Sequence, residues 1–326
     1  MSNNTNHPLL NAGWRSFIKL IFFVIGGLFV GQFLGLIVAL PFLNAPFMEL
    51  PNLMSNPENY PSSRIVLFVI QGVTALVMFI VAPWLYLRSE GKLTFNDLSF
   101  RDNLSVAPLL LVAFGVVVFM LVNSVFITWN MNMSFPDFMS GFEQWARAQE
   151  DTLAKLTEYL VKTETNTELI LAFIVVAILP AIGEELLFRG VLQNIFRGVL
   201  RNKHIAIWLS AIIFSAIHMQ FFGFLPRVIL GALFGYIYVI SGNLWYPIAA
   251  HFVNNGFTIL LVALYQKGVI PMDIEDTESV PLEAVVPALI IFIVVSYLFI
   301  QYFKKNPGKP NGKLAESILF GNAPQS

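Results

Sequence analysis

A small set of side chains in this 326-residue chain combines chemical reactivity with an apolar setting. Glu184, Glu185 and Arg189 lie in Gly183-Glu184-Glu185-Leu186-Leu187-Phe188-Arg189, His218 ends Phe214-Ser215-Ala216-Ile217-His218, and His251 opens His251-Phe252-Val253-Asn254-Asn255. An ionisable group at membrane depth costs about 2.5 to 3.5 kcal/mol on insertion scales, so each is a candidate functional residue. On a helix Glu185 and Arg189 stand i and i+4, the spacing of an ion pair. Glu184 points about 100° away from Glu185 and meets no base at i+3 or i+4, which leaves it free to act as a general base. Phe214 with His218, and His251 with Asn255, share helix faces. Singly, each has a plainer reading, a packed histidine or an ion pair between helices. The two other histidines, His7 and His204, sit in polar segments.

The elements that must position these groups are membrane helices. Hydrophobic residues make up 56% of the chain and charged residues 12%, against roughly 25% charged in soluble domains. Apolar stretches long enough to cross a bilayer core of about 30 Å occur at 17–40, 65–87, 107–129, 168–190, 205–222, 227–241, 245–266 and 284–303. They predict an all-α polytopic bundle of about eight transmembrane helices. The stretches 205–222 and 227–241 are short, and Gly231, Gly235 and Gly242 point to close helix contact there. The first stretch, preceded by Arg15 and Lys19, is too long for a cleaved signal peptide and is expected to be retained. The absence of cysteine excludes disulfides, thiolate catalysis and cysteine metal sites.

With both termini in the cytoplasm, the inner segments carry thirteen of the nineteen basic residues. That follows the positive-inside rule and suits a multi-pass protein of a plasma or inner membrane. The outer side takes most acids, including Asp273, Glu275, Asp276, Glu278 and Glu283. Residues 1–15 form a polar cytoplasmic N-terminus, 16–303 the transmembrane bundle and 304–326 a basic cytoplasmic tail. Pro46, Pro51, Pro57 and Pro61 argue against helix or strand between Asn44 and Ser63. Trp145, Leu153, Leu156 and Leu160 recur at helical spacing between Gly141 and Lys162, which predicts an amphipathic helix on the membrane surface or capping the bundle. No nucleic-acid motif, phosphate loop or internal repeat is present, so the expected partners are the lipid bilayer and a substrate. If the fourth helix ended at Gly190, Glu184 and His218 would miss one another. Val191, Leu192, Ile195, Phe196, Val199 and Leu200 allow it to continue toward Leu200, kinked at Pro180.

Over residues 168–266 the sequence resembles the CPBP family of intramembrane proteases, also called the CAAX protease and bacteriocin-processing or Abi family. The double-Glu-to-Arg motif is carried by Glu184, Glu185 and Arg189, the Phe-to-His motif by Phe214 and His218, and the His-to-Asn motif by His251 and Asn255. The resemblance implies a helical bundle with a conical intramembrane cavity. It implies an endopeptidase acting on a membrane-anchored or lipidated peptide, of the type II CAAX prenyl endopeptidase kind. Glu184 would activate water, His218 would orient or deprotonate it, and His251 with Asn255 would hold the oxyanion; Glu185, Arg189 and Phe214 would support the site. No cofactor is required by this scheme, but Glu184, His218 and His251 form a set able to bind zinc as a metalloprotease would. A proton-coupled transporter and a non-catalytic scaffold or immunity protein are the alternative readings.

Overall fold

A computed structural model describes residues 9, 13–270 and 280–315. His7 and the acids Asp273, Glu275, Asp276 and Glu278 lie outside the described residues, as does the tail from 316 onward.

Among the described residues nine helices dominate. They are α1 (Gly13–Ala39), α2 (Ser63–Ser89), α3 (Val106–Met131), α4 (Ser140–Val161), α5 (Asn166–Leu200), α6 (Lys203–Ala216), α7 (Phe224–Ser241), α8 (Trp245–Gln266) and α9 (Leu282–Lys305). Among the described residues all but α4 and α6 are long and apolar enough to cross a membrane, which gives seven candidate spans, consistent with an integral multi-pass bundle of about eight helices. The eighth expected span, 205–222, contains only the 14-residue α6. At about 1.5 Å per residue it rises about 21 Å, short of a bilayer core.

The fourth membrane helix is long, as its apolar pattern required. α5 runs unbroken for 35 residues. Wider π turns at Phe173–Ile178 and Leu186–Leu192 interrupt its α geometry, the first just ahead of Pro180. Glu184 is therefore near the middle of α5. Its neighbours are placed by glycines: a Cβ on Gly183 would stand 2.7 Å from Phe79 Cβ of α2, and one on Gly190 would stand 2.7 Å from Leu98 Cδ1.

The segment between Asn44 and Ser63 departs from its predicted irregularity. It holds a helix at Leu50–Ser55 and 3₁₀ turns at Phe47–Glu49 and Pro57–Asn59. Pro51 and Pro57 sit in first turns, where a missing N–H is no loss. The amphipathic stretch folds as expected into α4, closing one end of the bundle: Tyr159 Oη bonds Ser63 Oγ at 2.6 Å, and Glu150 meets the α6–α7 loop. At the other end the 90–105 loop and the chain after α9 join. β1 (Arg101–Asp102) pairs antiparallel with β2 (Lys309–Pro310), and Leu314 and Ala315 are buried among Leu98 and Leu187. The start of the expected basic tail is thus packed structure.

α1 docks on α2 through Gly27, Gly31 and Gly35. A Cβ on Gly31 would lie 2.9 Å from Thr74 Cα, and one on Gly35 would lie 3.0 Å from the Ile70 carbonyl oxygen. Backbone cannot yield as a flexible side chain can. Gly31→Leu is therefore expected to separate α1 from α2 and destabilise the bundle by about 1 to 3 kcal/mol, read as a lower midpoint of thermal unfolding in detergent. Gly26→Ala, whose Cβ would meet nothing within 4 Å, should leave that midpoint unchanged.

Candidate functional site

Glu185 is the centre of the site and is fully buried. Its Oε1 accepts a hydrogen bond from Arg189 Nη1 at 2.7 Å and stands 2.9 Å from His251 Nδ1 on α8. Arg189, itself 1% exposed, gives Nη2 to the Gly231 carbonyl on α7 at 2.9 Å. Its guanidinium carbon lies 4.8 Å from the centre of the Phe214 ring and 5.5 Å from that of Phe234. The predicted i,i+4 pair is real, and it ties together α5, α7 and α8. α7 comes close enough because residue 231 has no side chain: a Cβ there would meet Ala211 Cβ and Phe214 Cδ1 at 3.2 Å.

Glu184 is left for chemistry. Its Oε2 lies 3.9 Å from His251 Nε2, a gap that a water hydrogen-bonded to both atoms fits. Carboxylate oxygen is an acceptor only, so His251 Nδ1 carries a hydrogen toward Glu185, and His251 can donate from Nε2 only when both nitrogens are protonated. Both Glu184 and His251 are buried, at 8% and 4% exposure. A neighbouring cleft of about 330 Å³ is lined by Ile182 and Leu186 of α5, Leu244, Trp245 and Ile248 at the start of α8, and polar residues of the 95–104 loop. It lies within one turn of Glu185 and His251 along both helices.

His218 differs from its sequence placement inside a membrane helix. α6 ends at Ala216, and His218 occupies the following turn, with Met219 at φ +55°. The ring remains at the site because Nδ1 donates to the Phe214 carbonyl at 2.8 Å, which fixes a hydrogen on Nδ1; in the neutral ring Nε2 then carries the lone pair. The Phe214 ring lies 5.0 Å from His218 and 6.2 Å from His251, edge-on to both. Phe214 thus spaces the two imidazoles.

Asn255 donates from Nδ2 to the Val176 carbonyl at 2.9 Å. Val176 is four residues before Pro180, which has no N–H to return to it. The break in α5 therefore offers an acceptor that fixes the Asn255 amide, one N–H of which remains for another partner. Sequence reasoning placed Asn255 but not this anchor, although Pro180 was its signal.

Outside the membrane spans, Glu150 of α4 grips the loop that carries His218. Its Oε1 accepts from Gln220 Nε2 and its Oε2 from the Phe222 backbone N–H, both at 3.1 Å. Burial pushes this carboxyl above its ordinary range, against the downward pull of the Phe222 N–H, Arg227 and Gln220. Asn130 of α3 closes the same loop through the Phe221 carbonyl and the Leu225 N–H. Neither residue shows a local sequence signal, since both act across long chain separations.

The zinc set does not fit as placed. Among the described residues no three His, Cys, Asp or Glu side chains stand close enough together to hold a metal ion. Glu184 and His251 approach one another, and His218 does not complete a cluster with them.

Comparison with known proteins supports the resemblance carried by the three motifs. Residues 166–257 match the family described as type II CAAX prenyl endopeptidase, Rce1-like. That stretch contains α5 through most of α8, and with it Glu184, Glu185, Arg189, Phe214, His218, His251 and Asn255. An uncharacterised protein of Bacillus subtilis, YpbD, is 36% identical over 84 residues. The match covers 24% of this chain and spans 40% of the length of that relative. No solved structure matches.

Removing one partner of a buried pair leaves an uncompensated charge, at a cost of about 3 to 5 kcal/mol. Arg189→Met is expected to destabilise the bundle by that order in detergent unfolding, because Glu185 is fully buried. Glu184→Gln, whose carboxylate has no comparable ion pair, should unfold near the wild-type temperature. Equal stability of the wild type and Arg189→Met would remove Arg189 from the centre of the site.

Proposed function

We propose that the chain is an intramembrane endopeptidase that hydrolyses a peptide bond of a membrane-anchored or lipidated substrate, in the manner of CAAX-type processing, with a glutamate-activated water and no metal. The observation that carries this reading is the division of labour between adjacent carboxylates. Glu185 is consumed by Arg189 and His251, while Glu184 faces His251 Nε2 across 3.9 Å with no tighter partner. The family match over 166–257 supports the reaction class.

In this mechanism a water between Glu184 and His251 gives its proton to Glu184 as its oxygen attacks the scissile carbonyl carbon. The carbonyl π bond breaks, and the negative charge moves to the oxygen. His251 Nε2–H and the remaining N–H of Asn255 donate to that oxyanion. Collapse restores the carbonyl, breaks the carbon–nitrogen bond and passes the proton from Glu184 to the leaving amine. His218 orients the water through the Nε2 lone pair left by its bond to Phe214. The termini face the cytoplasm in this reading, which counts α6 as the return of the chain across the bundle after α5 and puts Arg88, Lys92, Arg101 and the basic 305–313 segment on that side.

The test is cleavage of farnesylated and alkyl-anchored peptides by the purified protein in nanodiscs. Glu184→Gln is expected to lose about 10²- to 10⁴-fold in kcat, and Asn255→Ala about 10²- to 10³-fold. A chelator should leave the wild-type rate unchanged. Unimpaired cleavage by Glu184→Gln would sink the assignment of the base, and chelator inhibition would sink the metal-free step. Absence of cleavage across the panel would return the chain to a transporter or scaffold reading.

A further inference from the structure

Arg227 opens α7 and has no part in the mechanism above. Its guanidinium is fixed from two sides. Nη2 donates to Gln220 Oε1 at 2.7 Å, and the group folds back over Gly223, where a Cβ would stand 3.2 Å from Nη2. Gln220 is held in turn by Glu150, so the cation is rigid rather than adaptable. Its Nη1 is buried and finds no hydrogen-bond partner. A buried charged donor without an acceptor is costly and asks for an explanation. Through Gln220, two residues beyond His218, the guanidinium is tied to the turn that carries that histidine. Neither carboxylate around it, Glu150 or Glu184, bonds to Nη1.

A planar, permanently charged fork with one unused arm, anchored to the turn that carries His218, has the form of an anion subsite. The anion that a peptide substrate itself brings is a carboxylate, either at its C-terminus or on an acidic side chain. We propose that Arg227 binds a carboxylate of the substrate through Nη1 and so selects peptides bearing that charge near the scissile bond. Gln220 and Glu150 then hold the subsite in register with His218. This rests on the protease reading for the fate of the peptide, but not for its binding.

Two measurements keep the readings apart. Alkyl-anchored peptides are made as matched pairs, with a free-acid or amidated C-terminus and with an internal Asp or Asn. Binding of each is measured by calorimetry to the full chain in nanodiscs, and cleavage is followed in parallel. The wild type should bind one acid form about tenfold to a hundredfold more tightly than its neutral partner, and the pair that responds identifies the carboxylate. Arg227→Gln should bind both members of that pair alike, with KM for the acid peptide raised to that of its neutral partner. Arg227→Lys, which keeps the charge without the fork, should recover part of the preference. The inference fails if the wild type binds acid and neutral forms equally, or if Arg227→Gln keeps the preference. A preference in binding without any cleavage would leave the subsite standing and overturn only the protease.

Discussion

One carboxylate oxygen organises this protein. Glu185 Oε1 is shared by Arg189 of its own helix and His251 of α8, and Arg189 carries the connection on to the backbone of α7. Three helices therefore converge on an atom from which water is excluded. In lipid the usual hydrophobic drive between helices is weak, so close packing and polar contacts supply the association. A buried ion pair is expensive to desolvate and tolerates little displacement. That intolerance makes the pair useful: it fixes which faces of α5, α7 and α8 meet.

Glu184 inherits its chemistry from this arrangement. With the neighbouring carboxylate bound by Arg189, the second is left with His251 Nε2, at 3.9 Å, as its partner. Phe214 keeps the two histidines apart, and the carbonyl that Pro180 cannot bond secures Asn255. The wide turns on either side of Leu179–Glu185 belong to the same device. They are irregularities of the kind that recur in helices at functional sites.

Outside the membrane spans, the polar network has a different character. Glu150 acts from a surface helix, Gln220 from a loop and Asn130 from the last turn of α3, and their bonds join residues far apart in sequence. They clamp the turn that carries His218, so the placement of a histidine just beyond a short helix depends on a helix that does not cross the membrane. α4 is in this sense part of the site's scaffold.

By itself the sequence determined the membrane setting, the helical class and the three motifs of the family resemblance. Apolar runs of bilayer length, the absence of cysteine and the i,i+4 spacing of Glu185 with Arg189 each follow from local chain geometry, and so did the continuation of α5 to Leu200. Its limits came where distant segments meet. It set His218 within a membrane helix, whereas α6 stops at Ala216 because the turn is held by α3 and α4. It read the 44–63 segment as irregular, although prolines in first turns permit short helices there. It counted Arg227 as one basic residue among the loops. Only the tertiary structure decided that Glu185 rather than Glu184 meets His251 Nδ1, what anchors Asn255 and how Glu150 holds Gln220, because each depends on a contact made by residues dozens of positions apart.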